Sequence, residues 1–287
     1  MLQIGDIRLH LINDGDTGVD AGGPFGLVPR ALYRSYYEPD ENNLVPMTGT
    51  CLLIQTGGQN IVADTGLGNK LDAKRRAIWN LSRPNGDLLA GLRRLGVEPG
   101  DVSLVINTHL HADHCSGNTT FNADMSAVLP TFPNAEHVVQ RREFEDASNP
   151  NERTAATYLS INWDVLVENG QMRLLDGDTD LAPGVRGVVT PGHTPGHMSV
   201  VIESGGQSAM FVCDLASYAV HFERLGWMTA YDVEPLVTLE TKRRWQQWAL
   251  ETDAALIFPH DSKRPIGRLV HGEKGRPVLQ PIDEPFA

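Results

Sequence analysis

Residues 104–118 read Leu-Val-Ile-Asn-Thr-His-Leu-His-Ala-Asp-His-Cys-Ser-Gly-Asn, and this stretch constrains the fold of the 287-residue chain most sharply. An apolar, β-prone run passes directly into His109, His111, Asp113 and His114, and Gly117 turns the chain behind them. In an extended segment residues i and i+2 face the same side, so His109 and His111 can grip one ion together. On a helix they would point about 200° apart and could not share it. Asp113 and His114, just past the strand end, are free to turn towards a second ion. Imidazole and carboxylate are ligands that a borderline divalent metal such as zinc accepts. A lone histidine at a strand end is ordinarily a core or surface residue; three with an aspartate in one short loop point to metal.

Composition narrows the use of such a cluster. Apolar residues make up 41% and charged residues 21%, enough to bury a substantial core in one α/β domain spanning 1–287. The formal charge of −12 repels phosphate backbones and disfavours a nucleic-acid partner. The N-terminus has no basic region ahead of an apolar run, and no stretch reaches the length of a membrane span, so neither secretion nor membrane insertion is expected. Three cysteines, Cys51, Cys115 and Cys213, are an odd number that argues against a disulfide framework and for a reducing, cytoplasmic setting.

Along the chain, residues 2–12 alternate as an opening strand. Residues 13–47, rich in Gly, Pro and Asp but carrying Phe25, Tyr33, Tyr36 and Tyr37, read as a long loop at a pocket mouth. A hairpin over 48–56 and 60–64 ends in Asp64, a helix covers 86–95 with Gly96 behind it, and the histidine-bearing strand covers 102–107. Strands are expected at 171–175, 185–190, 198–203, 209–213 and 255–258, and the longest helix at 234–252 with Leu236, Leu239, Trp245, Trp248 and Ala249 available for burial. Residues 263–287 read as a surface tail. Asn60–Asp64 and Ala209–Asp214 echo each other, each an apolar strand closed by Asp, which hints at two similar layers packed face to face.

Three more candidate ligands stand at strand ends: His193, Asp214 and His260. A sheet edge that gathers strand ends would bring all seven together. Seven His and Asp side chains suffice for two metals, with one carboxylate bridging and positions left open for water and substrate.

In order and context, His109-x-His111-x-Asp113-His114, His193 in a Gly-His-Thr-Pro-Gly-His stretch, Asp214 and His260 resemble the dinuclear signature of the metallo-β-lactamase-fold superfamily. The resemblance spans roughly 2–262 and implies an αββα sandwich of two mixed β-sheets with helices outside. It implies a first zinc on His109, His111 and His193, a second on Asp113, His114 and His260, and Asp214 as the bridge. It also implies Asp64 as a supporting group near the site. His197 is expected to orient the His193 loop through hydrogen bonds. His10, His137 and His271 read as ordinary surface or core histidines.

The best-known β-lactamases of this fold have Cys at the position of Asp214, so that activity is disfavoured. Cys115 and Cys213 are offset by one residue from ligand positions and read as small buried hydrophobes, Cys213 facing away from Asp214 within its strand. The long interval between His114 and His193 is similar to the branch of quorum-quenching lactonases and methyl parathion hydrolase, and unlike glyoxalase II. Compact acyl-homoserine lactonases carry a Tyr three residues after the bridging Asp. Here Ser217 stands there and Tyr218 follows, which makes Tyr218 a candidate for polarising the carbonyl. The function implied is opening of a lactone or related ester by a metal-bridging hydroxide, with Asp113 and Asp214 catalytic and Asp113 a proton shuttle. Phe25, Tyr218, His221, Phe222 and Trp227 are the expected pocket for an apolar acyl or aryl group. The alternatives are organophosphate triester hydrolysis, a glyoxalase II-like thioesterase and a non-hydrolytic di-iron protein. The expected partner is a small-molecule ester or lactone, and a homodimer is left open.

Overall fold

Leu2–Ile4 (β1) and Ile7–Asp20 (β2) form an antiparallel pair turned at Gly5, whose φ of 53° lies in the left-handed region. A Cβ at Gly5 would lie 2.5 Å from the Ser204 hydroxyl, so glycine answers both demands. The computed structural model describes residues 1–284 and 286–287. After β2 come α1 (Gly22–Phe25), α2 (Arg30–Tyr33), β3 (Leu44–Thr56), β4 (Gln59–Ala63), α3 (Ala73–Ile78) and α4 (Leu88–Arg94). β5 (Val102–Ile106), α5 (Ala112–Cys115), a ribbon of β6 (Thr119–Phe121) and β7 (Val128–Pro130), β8 (Glu136–Gln140), α6 (Arg141–Ser148), α7 (Asp164–Glu168) and β9 (Met172–Leu175) follow. The first sheet has seven strands in the order β1-β2-β3-β4-β5-β8-β9. The second runs in sequence order through β10 (Thr179–Ala182), β11 (Val185–Val189), β12 (Met198–Ser204), β13 (Gln207–Phe211), β14 (Ala255–Ile257), β15 (Ile266–His271) and β16 (Pro277–Pro281). Between β13 and β14 the chain builds α8 (Ala219–Glu223) and α9 (Pro235–Thr252).

Alternation within the strands sorts the apolar side chains into layers. Leu52, Ile54, Ile61 and Ile106 of the first sheet meet Val200, Ile202, Phe211 and Ile257 of the second in the shared central core. The neighbours of opposite parity face outward. Leu53, Val62 and Val105 pack under Leu88 and Leu92 of α4, and Val201, Met210 and Leu256 pack under Trp245 and Ala249 of α9. Helix, sheet, sheet, helix is therefore the layer order, as expected. The echo between Asn60–Asp64 and Ala209–Asp214 has a topological counterpart. β2-β3-β4-β5 and β11-β12-β13-β14 each pair antiparallel, antiparallel, then parallel.

Three expectations are corrected. The supposed loop 13–47 is two strands for much of its length, because β2 runs to Asp20 and β3 begins at Leu44; only 21–43 connects them. The supposed tail 263–287 instead supplies β15 and β16, which extend the second sheet. In α9, Leu236 is 77% exposed, while the polar Thr238, Lys242 and Gln246 take the inner face beside Trp245 and Ala249. Those polar groups are satisfied: Lys242 Nζ donates to the carbonyls of His221 and Trp227, and Gln246 to that of Phe222.

β4 and β5 run parallel, as do β13 and β14, so their C-terminal ends, with that of β11, come to one edge of the sandwich. That edge receives every candidate ligand. Phe211, fully buried in the central core, holds the β13 end in place. Phe211→Ala should cost about 3–5 kcal/mol. Urea unfolding of the two proteins checks this, and a loss under 1 kcal/mol, about the worth of one buried methylene, would place the residue outside the packed core.

Candidate metal centre

β5 stops at Ile106, and an extended segment then carries His109 and His111 to the one-turn helix α5, which presents Asp113 and His114. His193 follows β11, Asp214 sits in a tight turn after β13, and His260 follows β14. Together these four segments deliver two trios and one further carboxylate. His111 Nδ1 lies 3.1 Å from both His109 Nε2 and His193 Nε2. His114 Nε2 and His260 Nε2 lie 3.2 Å apart, with Asp113 Oδ2 at 3.7 Å from each. Asp214 joins the trios: Oδ2 is 3.3 Å from His193 Nε2 and 3.5 Å from His114 Nε2, and Oδ1 is 3.3 Å from His260 Nε2.

The opposite nitrogens of these rings decide what faces inward. His114 Nδ1 lies 2.9 Å from Asp64 Oδ2, His193 Nδ1 3.0 Å from Asp232 Oδ1, and His260 Nδ1 2.9 Å from the Thr48 carbonyl. His109 Nδ1 meets the Thr108 hydroxyl at 3.1 Å. A neutral imidazole has a single N–H, and a carboxylate or carbonyl can only accept. In its neutral, ligating form each such ring donates outward and turns a lone pair towards its neighbours' lone pairs. Asp214 Oδ1 is buried without a hydrogen-bond partner among the described residues. Converging lone pairs and an unpaired buried carboxylate oxygen are the environment a cation satisfies, and nitrogen-rich sites with a few carboxylates suit divalent transition metals. The residues fit two such ions.

Electrostatics differ from ring to ring: burial lowers His114 and His193, but Cys213, Asp113 and Asp214 around the first and Asp214 and Asp232 around the second outweigh it and raise both. Burial and the neighbouring imidazoles His114, His111 and His193 hold His109 well below the ordinary histidine range, so it stays neutral and able to ligate. Burial would raise the Asp214 carboxyl, but His260, His114 and His193 outweigh it and hold it well below the usual carboxylate range. Asp64 anchors more than one group: it accepts from the Thr108 backbone N–H at 2.9 Å as well as holding His114. His197 Nε2 accepts the Asp214 backbone N–H at 3.1 Å, and its Nδ1 meets the Thr190 hydroxyl at 2.8 Å, tying the Asp214 turn to the His193 loop.

Other expected site residues lie elsewhere. Tyr218 is fully buried and donates to the Pro46 carbonyl, so its hydroxyl is occupied by the scaffold. Phe25, Tyr218 and Val220 pack in one cluster with Tyr33 and Tyr37, and Trp227 packs against it. His221 points edge-on at Phe25 and Tyr218, and Phe222 joins the core beneath α9. None of these five lines the cavity over the ligands; Val19, which does, packs against the cluster of Phe25 and Tyr218. Cys213 also departs from expectation. β13 ends at Phe211, Cys213 takes a left-handed φ of 50°, and its Sγ lies 3.2 Å from Asp64 Oδ2 and 3.6 Å from His114 Nδ1.

The cavity above the ligands holds about 340 Å3 and has His111, Asp113, His193 and Asp214 in its floor. Val19, Met47 and Trp79 form an apolar wall, Arg153, Thr154 and Thr157 a polar one, and Tyr231 stands at the rim. Asp113, 20% exposed at its side chain, is the ligand most open to it. Trp79, Arg153 and Asp232 were not singled out by the sequence. For Asp232 the only hint is a carboxylate in an aromatic segment. Asp232→Ala should weaken metal binding by about 10- to 100-fold by freeing the His193 ring. Competition with a chelator measures this, and an unchanged affinity would deny Asp232 its part.

Comparison with known proteins agrees with this geometry. Residues 44–259 match the metallo-beta-lactamase superfamily. An N-acyl homoserine lactonase from a Bacillus species is 29% identical over 234 residues, covering 78% of this chain and 85% of that one. The N-acyl homoserine lactonase of Bacillus cereus is 27% identical, covering 86% and 94%. Among solved structures, a probable metal-dependent hydrolase from Staphylococcus aureus superimposes with a TM-score of 0.86 at 29% identity, covering 97% and 99%. AidC, a dizinc quorum-quenching lactonase, superimposes at 0.80 with 19% identity, covering 99% and 97%. With a match over most of its length and a ligand edge of the expected geometry, this chain belongs to the metallo-beta-lactamase superfamily.

Proposed function

We propose that the protein is a dizinc hydrolase that opens lactones of the N-acyl homoserine type. The observation that carries this is the convergence of two His/Asp trios on Asp214, four of these seven side chains lying in the floor of a cavity with one apolar and one polar wall. The lactonases among its relatives support the substrate class. His109, His111 and His193 would hold one ion, Asp113, His114 and His260 the other, and Asp214 would lie between them. Bound there, two divalent cations supply a water acidified to near-neutral pH and a Lewis acid for a carbonyl oxygen.

The chain's own groups do the rest. Asp214, unpaired at Oδ1 by any donor among the described residues, is free to span both positions. Asp113 faces the cavity and is placed to take a proton and return it to the leaving alkoxide. Val19, Met47 and Trp79 offer an acyl chain a surface that excludes water, while Arg153, with Nη2 spent on the Ala230 and Asp232 carbonyls, offers its other guanidinium N–H groups to polar substrate oxygens. Tyr218 takes no part in this reading, since its hydroxyl is committed to Pro46.

Two outcomes are expected. Asp214→Ala should retain neither ion on desalting and lose turnover with them; a variant that keeps both ions and full rate would remove Asp214 from the centre. Zinc-reconstituted protein should hydrolyse a long-chain acyl-homoserine lactone with a kcat/KM at least about tenfold above that for a neutral phosphotriester, some 1.4 kcal/mol of preferential transition-state binding. The reverse ranking would replace the lactone reading with the organophosphate one.

A further inference from the structure

Glu143 sits in the first turn of α6 with 0% exposure, outside every motif and apart from the ligands themselves. Its carboxylate has three uncharged donors. Oε1 accepts from the Leu110 backbone N–H at 2.9 Å and from the Tyr158 hydroxyl at 3.0 Å, and Oε2 accepts from the Thr194 hydroxyl. Burying a carboxylate without a cationic partner is expensive, and hydrogen bonds to the charged form are what offset it.

The donors are not scattered. Leu110 is the residue between His109 and His111. Thr194 follows His193. Tyr158 pairs its backbone with His111 and lays its ring against that imidazole, centroids 5.1 Å apart. One carboxylate is thus tied to the immediate neighbours of all three ligands of the first trio, which come from different halves of the chain. The approach of α6 to the second loop is close: a Cβ on Gly196 would fall 2.2 Å from the Glu143 backbone nitrogen, so only glycine allows this contact. The second trio has different anchors, Asp64 for His114 and the Thr48 carbonyl for His260. Glu143 does not bond to either ring.

We propose that Glu143 is the positioning residue of the first metal position, holding the His109–His111 segment and the His193 loop at the separation that lets three imidazoles share one ion. The inference rests on the dinuclear reading above and deepens it. An acceptor-only carboxylate suits the task because all three partners donate. An amide of the same size keeps an acceptor for Leu110 and Tyr158 but turns an N–H2 towards Thr194, whose hydroxyl must then accept, so the bond on the His193 side loses its charge assistance and weakens selectively.

The test is metal retention by Glu143→Gln and Thr194→Val beside the unchanged protein, each loaded with zinc and then dialysed against graded chelator. Zinc per chain is counted and the melting temperature of the metal-free forms is recorded. Unchanged protein should retain two ions. Both variants should give up one ion at about 10- to 100-fold lower chelator strength while holding the other as the unchanged protein does. Their metal-free melting temperatures should stay close to its own. Cobalt substitution should show the visible bands of one site displaced and the other kept. Loss of both ions in step, or retention of both at the original strength, overturns the proposal. If Glu143→Gln fails to fold, the Thr194→Val result decides alone. Fewer than two ions on the unchanged protein would instead refute the dinuclear reading, and this proposal with it.

Discussion

Everything at the ligand edge depends on one carboxylate placed among three imidazoles. Asp214 reaches His193 with one oxygen and His260 with the other, both at 3.3 Å, and has no donor among the described residues to neutralise Oδ1. A buried, unpaired carboxylate oxygen costs several kcal/mol in a dry interior, so the fold tolerates it only because cationic charge is supplied there. The surrounding hydrogen bonds then follow. Each imidazole must spend its proton on the outside, and the acceptors Asp64, Asp232 and the Thr48 carbonyl are there to take it. The architecture serves the same end: two sheets with parallel strand pairs bring their carboxyl ends to a single edge, where turns rather than strands can aim short side chains.

The convergence of the candidate ligands was legible in the sequence because each is a polar residue that ends an apolar run, a pattern that local chemistry alone makes conspicuous. The layer order was legible for a similar reason, since strand alternation and the periodicity of α4 survive in the linear chain. What escaped was set by distance. Asp232 and Glu143 are ordinary acidic residues until folding places His193, Leu110 and Thr194 beside them. The aromatic residues expected to line a pocket chose each other: Phe25 stacks on Tyr33 at 4.5 Å and packs beside Tyr218, and the cluster turns its back on the cavity.

Two further misreadings each carried a local rule too far. Cys213 was placed by strand parity, but β13 ends two residues earlier and the left-handed turn at Cys213 swings its sulfur under His114. The inner face of α9 was expected to be apolar, yet Lys242 and Gln246 occupy it because the last turn of α8 and Trp227 behind it present carbonyls there that need donors. At α9 hydrogen-bond demand outweighed periodicity; at Cys213 the strand had already ended.

The repeated topology of the two sheets has a mechanical consequence. The first half of the chain contributes His109, His111, Asp113 and His114, and the second contributes His193, Asp214 and His260, so neither half completes a trio by itself. A divalent cation held by either trio would therefore be a rivet through the seam between two independently hydrogen-bonded sheets. A nascent chain with only its first sheet paired has four ligands and no closed site, so tight loading must wait for the sheets to dock. Once loaded, the rivets resist the sliding of one sheet over the other that unfolding requires, and free metal in the surroundings becomes a term in the lifetime of the folded state.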